Sequence, residues 1–150
     1  MVTDYKQILN KLDQLSPVQY AKNRNFIDGS VSKLSPYISR GVLSTKQVLD
    51  HLLKNGFEPK KIEKFIQELA WRDYWQQIWQ EKDIDLDIKN KQTDVLQKGL
   101  SQSIIDAKTN IEAIDESIQD LYLTGYMHNH LRMYVASIAT NIAKSHWKQP

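Results

Sequence analysis

The sequence contains no cysteine, which excludes disulfide bonds and metal sites built from thiolate ligands. It also has no apolar run near the roughly 20 residues that a membrane-spanning helix needs. The first residues, MVTDYKQILNKLDQ, are too polar for a signal peptide. These absences predict a cytoplasmic protein with no membrane partner.

Glycine is scarce, with five in 150 residues, and no Asn-Gly or Asp-Gly turn separates two alternating apolar runs. The hydrophobic content of 41% and the charged content of 25% are typical of a soluble globular domain. Between Tyr20 and Lys61 there are eight Lys or Arg and three Asp or Glu. This local excess suits a polyanion, but a solvated lysine-rich surface is the commoner source of such a pattern.

Helical patterns account for most of the chain, so the predicted fold class is all-α. The stretch DYKQILNKLDQL has the period of an amphipathic helix, and Pro36 suits the first turn of a short helix after Ser35. The stretch STKQVLDHLLKNG has a serine cap and a terminal glycine. Further helices are predicted over 59–82, 109–123 and 126–146, with a polar surface connection over 83–99.

The helix predicted over 59–82 has two apolar sides. Its first half places Ile62, Phe65, Ile66 and Leu69 on one stripe, and its second half places Trp71, Tyr74, Trp75, Ile78 and Trp79 on the other. The tryptophans can be core residues between two layers. Alternatively, Trp71 with neighbouring Glu68 and Arg72 can stack on a base or a flat cofactor.

The last predicted helix has a similar division. Its expected core stripe is Leu131, Val135, Ile138 and Ile142, and its other face carries Asn129, Arg132, Met133 and Ala136. The small residues on that face accommodate another helix or a planar ligand. His128 and His130 have no carboxylate at zinc-ligand spacing, so we assign no metal site.

Three blocks of sequence decide between these alternatives. RNFIDGSVSKLSPYISRGVLSTKQVL, FIQELAWRDYW and TGYMHNHLRMYVASIATNIAKSHW stand in this order in the chain. Their residues and separations resemble the blocks of the helical FAD-binding domain in the DNA photolyase/cryptochrome family. The resemblance extends from about Tyr20 to Trp147 and is weakest over 83–108.

The resemblance implies FAD as cofactor. Tyr20 matches a tyrosine at the phosphate end of the flavin nucleotide, and VSKLS matches a loop that wraps the diphosphate. Val31 stands where a threonine is usual, which removes one hydroxyl. The cofactor-binding residues implied are Tyr20, Val31, Ser32, Lys33, Leu34, Ser35, Arg72, Asn129 and Arg132.

The resemblance also implies damaged DNA as a partner. Arg24 matches an arginine at the DNA backbone, Glu68 and Trp71 match residues that hold a flipped pyrimidine dimer, and Met133 matches a methionine against the lesion. The DNA-side residues implied are Arg24, Glu68, Trp71, Trp75, His130 and Met133. His130 stands where many members carry arginine.

The departures from the family pattern are equally informative. Residues 1–150 match only part of the FAD-binding domain, without the antenna domain or the DGD segment that supplies a carboxylate to the arginine matched by Arg132. Of the family's three electron-transfer tryptophans only Trp147 is matched. Apolar surface around Trp71 and Ala136 is therefore expected to be exposed, and a homo-oligomer or a missing domain is expected to cover it.

Three functions follow as expectations. The first is a photolyase-like flavoprotein, in which FAD donates an electron to a DNA lesion after light absorption. The second is a cryptochrome-type photoreceptor that binds FAD without repair, and the third is a helical module that binds DNA or protein without cofactor. We assign no catalytic residue within the 150 residues, and we expect the chain alone to be inactive or severely impaired.

Overall fold

The computed structural model describes residues 2–83 and 92–148. These residues divide into two compact units, which lie within Val2–Asp87 and Ile88–Pro150. Both units are helical, and no strand occurs in the described parts of either one. The predicted all-α fold class is confirmed.

The described residues of the first unit form five α-helices and one 3₁₀ turn. Its helices are α1 (Tyr5–Asp13), α2 (Pro17–Asn23), α3 (Ser35–Ser39), α4 (Thr45–Lys54) and α5 (Glu63–Glu81), and the 3₁₀ turn is Pro59–Ile62. The short helix α2 was not predicted from the sequence.

Capping residues explain where the predicted helices begin. The Asp4 carboxylate accepts a hydrogen bond of 2.9 Å from the Gln7 N–H at the start of α1. Ser44 and Gln47 form a reciprocal capping box at α4, with bonds of 2.8 and 3.0 Å. Gly56, just beyond α4, has a φ of +79°, as the terminal glycine of that segment requires.

The core of the first unit lies where α1, α3, α4 and α5 converge. Its completely buried side chains include Leu34, Leu43, Val48, Leu52 and Ile62. The stripe predicted from the first half of α5 is confirmed, because Ile62, Phe65 and Leu69 are buried in this core and Ile66 packs against it.

The helix predicted to begin at Pro59 begins instead with the 3₁₀ turn, and the α-helical hydrogen bonds start at Glu63. The second apolar side of α5 is not a core. Trp71, Tyr74, Trp75 and Trp79 are all between 47% and 63% exposed. The interpretation of these tryptophans as a buried layer is wrong, and the expectation of exposed apolar surface around Trp71 is confirmed.

Over residues 92–148 the second unit forms three α-helices and a π-helical segment. These are α6 (Gln102–Ile105), α7 (Glu112–Thr124), α8 (Asn129–Ser137) and the π-helical segment Ile138–Ile142. Its core is formed by Ile104, Ala107, Ile114, Ile118, Met127, Leu131 and Ala139. The helix α6 was not predicted, and α7 starts three residues later than the pattern indicated.

The segment 92–99 is held against the end of the chain. An isolated parallel bridge joins Gln97 to Ser145, and the fully buried Ser145 hydroxyl donates to the Gly99 carbonyl at 2.9 Å. The Gln97 side-chain amide donates to the same hydroxyl at 3.2 Å. This part of the predicted surface connection is therefore irregular and anchored, whereas residues 84–91 lie outside the described residues.

The last helix departs from its predicted bounds at both ends. It begins at Asn129 rather than Tyr126, because His128 has extended backbone and caps the helix with its imidazole. Near its end the Ala143 N–H donates to the Ile138 carbonyl, which is an i to i−5 bond. This wider turn rotates the following residues, so Ala139 is buried and Ile142 is 72% exposed. The prediction that Ile142 is a core residue is wrong.

No α-helix in residues 2–83 and 92–148 combines the length and the apolar character that crossing a bilayer requires.

Candidate cofactor-binding site

A cavity of about 260 Å³ opens in the first unit between α1, the start of α2, the loop after Gly29 and α5. Four residues assigned to the cofactor from the sequence lie together in its wall: Tyr20, Val31, Ser32 and Lys33. The remaining wall residues are Lys11, Gln14, Leu15, Ser16, Ser30 and Phe65. The wall therefore combines two ammonium groups, three serine hydroxyls and a phenol.

The loop that forms one wall is fixed by a close backbone approach at Gly29. A β-carbon there would lie 1.9 Å from the Asn23 carbonyl oxygen, so the position has no room for a side chain. The Asn23 side-chain carbonyl accepts a hydrogen bond of 2.9 Å from the Ser30 N–H. The C-terminal end of α2 thus determines where the hydroxyl-bearing residues of the loop begin.

The end of the loop is anchored through Leu34, whose side chain is completely buried in the core. The Ser32 hydroxyl accepts a hydrogen bond of 3.3 Å from the Leu34 N–H, and Lys33 has a left-handed φ of +52°. Leu34 and Ser35 were both assigned to the cofactor. The structure places Leu34 in the core and Ser35 at the first turn of α3, outside the residues that line the cavity.

Tyr20 connects the cavity to a charged cluster beside it. Its ring packs edge-on against Phe65, with the ring centroids 5.0 Å apart, and the Arg24 guanidinium lies 5.7 Å from the centre of the Tyr20 ring. Arg24 is the C-cap residue of α2, one turn beyond Tyr20, so this short helix and its cap present one side chain to the cavity and one to the cluster.

The charged cluster consists of Arg24, Lys64 and Glu68. The Glu68 carboxylate lies 3.7 Å from the Arg24 Nε and 3.5 Å from the Lys64 Nζ. The Arg24 and Glu68 side chains are 23% and 39% exposed, so the pairing is partly open to solvent. The structure therefore brings together a cation and a carboxylate that the sequence assigned separately to the DNA side.

Trp71 and Trp75 continue from this cluster along α5. Their rings stack with centroids 6.2 Å apart and planes 20° apart, and Tyr74 meets both rings edge-on. Arg72, which was assigned to the cofactor, lies half-buried on the same helix. An exposed aromatic surface beside a carboxylate and cations is an arrangement suited to nucleobases.

The second unit holds the remaining residues assigned to the site, most of them on α8. Asn129, Arg132 and Met133 are exposed and His130 is half-buried. The Arg132 Nε donates a hydrogen bond of 3.1 Å to the Met127 carbonyl. Within the described residues no carboxylate forms an ion pair with Arg132, so its charge is available to a ligand.

His128 and His130 lie with their ring centroids 5.6 Å apart. The His128 Nδ1 accepts the His130 N–H at 3.2 Å, so the neutral ring carries its proton on Nε2. Within the described residues, the His128 Nε2 and the His130 Nδ1 are both buried without a hydrogen-bond partner. No group of three potential metal ligands forms among residues 2–83 and 92–148.

Trp147 lies near the end of the described chain, where its indole stacks on His146 with centroids 6.1 Å apart. Its backbone N–H donates to the Gln92 side chain at 3.0 Å. The indole is 37% exposed, at the edge of the second unit.

The cavity residues that the sequence analysis missed include Lys11, Ser16 and Ser30. Ser16 precedes Pro17, and a serine before a proline at a helix start was a signal for α2 that could have been found. Lys11 lies on the solvent side of an ordinary amphipathic pattern, so only the packing of α1 beside the loop places it at the cavity.

Comparisons with known proteins identify the family of this chain. The family model of the FAD-binding domain of DNA photolyase matches residues 65–150. A deoxyribodipyrimidine photo-lyase of Alkalihalophilus pseudofirmus is 32% identical over 136 residues, covering 86% of this chain and 28% of the relative. A deoxyribodipyrimidine photo-lyase of Thermus thermophilus is 30% identical over 140 residues, covering 87% and 32%.

Cryptochrome-1 of Sinapis alba is 27% identical and covers 95% of this chain and 31% of its own length. Among solved structures, a class III photolyase of Agrobacterium tumefaciens superposes with a TM-score of 0.71. That match is 24% identical and covers 91% of this chain and 30% of the other, so it shows a shared fold. The chain spans less than a third of the length of each of these relatives.

Proposed function

The chain belongs to the family of DNA photolyase FAD-binding domains, and from this membership we propose that the cavity of the first unit holds the diphosphate end of FAD. We further propose that the chain serves as the cofactor-binding part of a photolyase-like protein that acts on damaged DNA, located in the cytoplasm.

The observation that carries the proposal is the convergence of Tyr20, Val31, Ser32 and Lys33 on one cavity. These residues were assigned to the diphosphate from sequence resemblance alone. The volume of about 260 Å³ is below the roughly 300–1,000 Å³ of pockets that enclose whole drug-sized ligands. It suits the diphosphate and its neighbouring sugar better than the complete dinucleotide.

The chemistry of the wall also suits a diphosphate. Lys11 and Lys33 supply positive charge, and the hydroxyls of Ser16, Ser30 and Ser32 supply short hydrogen-bond donors. The Ser32 hydroxyl accepts from the Leu34 N–H, which orients its own proton away from the loop backbone. The phenol of Tyr20 is braced by Phe65 and adds a further donor at the edge.

The other assigned residues have roles within the same proposal. In the second unit, Asn129 and Arg132 are assigned to the flavin ring and Trp147 to electron transfer. In the first unit, Arg72 is assigned to the flavin side of α5. Arg24 binds a DNA phosphate. Residues that the resemblance assigns to the lesion side occur in each unit: Glu68, Trp71 and Trp75 in the first, and His130 and Met133 in the second.

The chemistry that bound FAD supplies in this family is electron donation to a pyrimidine dimer after light absorption. The residues of this chain bind and orient the cofactor and the DNA, and they exclude water from the site. Exposed aromatic rings such as Trp71 provide a surface on which an extruded base stacks, and the Glu68 carboxylate accepts hydrogen bonds from its polar edge.

A cryptochrome-type photoreceptor is the second candidate, because Cryptochrome-1 of Sinapis alba covers 95% of this chain. Both functions need bound FAD. Only the photolyase function removes dimers from DNA under light, so a repair assay separates the two.

The test of FAD binding is a visible-absorption titration of the 150-residue chain with FAD. We expect a bound-flavin spectrum, and we expect Lys33→Glu to weaken the binding at least tenfold because it places a carboxylate beside a diphosphate. Lys60→Glu is the matched control, since this exposed lysine in the 3₁₀ turn is outside the cavity wall.

The proposed site would be contradicted if the chain does not bind FAD, or if the Lys33→Glu variant binds FAD as tightly as the wild type. A colourless chain that nevertheless binds undamaged DNA would favour the third expectation, a helical module without cofactor.

A further inference from the structure

Lys11 lies in the cavity wall but outside the VSKLS motif that was assigned to the diphosphate. It stands in the last turn of α1, whereas Lys33 belongs to the loop after Gly29. The two lysines therefore reach the same cavity from two different elements. Lys6, the other lysine of α1, is exposed and outside the wall, whereas Lys11 is half-buried.

Lys11 has no carboxylate partner within residues 2–83 and 92–148. Lys46 and Lys64 of the same unit each pair with a carboxylate one turn further along their helix. The acidic residue nearest to Lys11 in sequence is Asp13, whose Oδ1 lies 3.1 Å from the Nε2 of His51 on α4. None of the residues that line the cavity is acidic. A half-buried ammonium group that lacks a counter-charge is stabilised when an anion binds beside it.

The two ammonium groups of the wall match the charge of a diphosphate. Each of the two linked phosphates carries at least one negative charge at neutral pH, and α1 and the loop each supply one cation. A monophosphate offers a single group to the same two cations. The serine hydroxyls donate to phosphate oxygens of either kind of ligand, so they do not separate one phosphate from two.

We propose that Lys11 is a ligand-binding residue that makes the cavity select a diphosphate over a monophosphate. The cavity then binds a free nucleoside diphosphate as well as FAD, whose adenosine half has the structure of ADP. This role rests on the proposed function, which makes the cavity a diphosphate site. It goes beyond that function because the discrimination comes from α1 and not from the loop, where Val31 has no hydroxyl to contribute.

The position of Lys11 also has a structural explanation within α1 alone. A cation in the last turn of a helix is stabilised by the free carbonyl groups at that end. This effect concerns the stability of α1 and is the same whichever ligand is present. The ratio of the affinities for a diphosphate and a monophosphate therefore separates ligand binding from a purely structural role.

The experiment is isothermal titration calorimetry of the 150-residue chain with FAD, ADP and AMP in magnesium-free buffer. ADP and AMP differ by one phosphate, and both lack the flavin. We expect ADP to compete with FAD and to bind about tenfold or more tightly than AMP. Lys11→Gln should weaken the binding of ADP and FAD about tenfold and that of AMP by less than about threefold, so the ratio of ADP to AMP affinity falls.

Lys6→Gln is the matched control, because it removes the same charge from the exposed side of the same helix and should leave all three affinities unchanged. Lys11→Arg keeps the positive charge and should bind ADP within about threefold of the wild type. Urea unfolding followed by circular dichroism compares the stability of each variant with that of the wild type.

A Lys11→Gln variant that binds FAD and ADP with the wild-type ratio of ADP to AMP affinity would overturn the role of Lys11 and leave the proposed function intact. Equal binding of ADP and AMP by the wild type would overturn it in the same way. A chain that binds ADP through Lys11 but does not bind FAD would support the role of Lys11 and contradict the proposed function. A chain that binds none of the three ligands would contradict both.

Discussion

The Arg24 Nε lies 3.7 Å from the Glu68 Oε1. In the free protein, Arg24, the proposed contact to a DNA phosphate, is therefore ion-paired with Glu68, the proposed contact to the lesion. The pair is partly exposed, and such ion pairs contribute about 0–1 kcal/mol. A DNA phosphate can therefore displace the carboxylate from Arg24 at little cost, which leaves Glu68 paired with Lys64 alone.

This relationship predicts the salt dependence of DNA binding. Arg24→Gln should reduce the slope of log K against log salt concentration by about 0.9 for duplex DNA, because one phosphate contact is lost. Glu68→Gln should raise the affinity for undamaged DNA, since it removes the competing carboxylate. The measurement is a fluorescence-anisotropy titration with a labelled oligonucleotide at several salt concentrations. Lys108→Gln, in the second unit, is the control, and a slope equal to the wild type in Arg24→Gln would refute the phosphate contact.

Val31 lies in the cavity wall at a position where a hydroxyl would face the proposed diphosphate. Val31→Thr is nearly isosteric and adds one donor, which is worth about 1 kcal/mol, so FAD should bind about fivefold more tightly. Isothermal titration with FAD measures the change. Val42→Thr makes the same substitution outside the cavity wall and should have no effect. An unchanged affinity in Val31→Thr would mean that this position does not face the cofactor.

Alanine substitutions at Gly29 and Gly41 compare the stability cost of a side chain in the cavity-wall loop with its cost at a glycine that has open space around it. In Gly29→Ala the new β-carbon would lie 1.9 Å from the Asn23 carbonyl oxygen. Because this oxygen belongs to the backbone, it can move away only if the chain itself shifts, so we expect the free energy of unfolding to fall by about 2–4 kcal/mol. Gly41 has a φ of +70°, and an added β-carbon there would meet no other atom within 4 Å, so Gly41→Ala should cost about 1–2 kcal/mol. Urea unfolding followed by circular dichroism compares them. Equal losses would show that the loop relaxes around Asn23.

The hydrogen bonds to the Asp115 carboxylate predict how the stability of the second unit depends on pH. The Thr109 hydroxyl, at 2.6 Å, and the backbone N–H groups of Thr109 and Asn110 donate to this carboxylate and lower its pKa, against the opposing effect of desolvation. A lowered folded-state pKa means that the stabilisation is complete above the ordinary carboxyl pKa and is lost as the pH falls through the folded value.

Thermal melting between neutral pH and about pH 3 should therefore show a larger loss of stability in the wild type than in Asp115→Asn. Asp120→Asn, an exposed carboxylate on the same helix, is the control and should follow the wild type. Parallel curves for the wild type and Asp115→Asn would show that this cluster contributes nothing to acid sensitivity.

Local signals were sufficient to predict several elements of the fold. The amphipathic period of α1, Pro36 in α3, and the Ser44 cap and terminal glycine of α4 are all local signals, so these three helices were predicted from the sequence. The prediction for the last helix was wrong at its end because it assumed a constant helical period. The π-helical segment adds a residue to one turn, and this moved Ile142 from the expected core to solvent.

The site shows the same division between local and tertiary information. Ser32 and Lys33 belong to one continuous motif, and they were assigned from that motif. Lys11 reaches the cavity only because α1 packs beside the loop, and no pattern near Lys11 indicates this. The pairing of Arg24 with Glu68 joins residues far apart in the sequence and likewise depends on packing.

The exposure of α5 also determines what an optical experiment on this protein can see. Three of its four tryptophans, Trp71, Trp75 and Trp79, lie on the exposed side of α5, so the intrinsic fluorescence comes largely from one solvated helix surface. Unfolding would change the emission wavelength little, since these indoles are already in contact with water. Any molecule that covers this side of α5 would shift the emission to shorter wavelength, so its binding can be followed without an added label. The tryptophan emission wavelength of this protein therefore reports whether the exposed side of α5 is covered, and it responds little to unfolding.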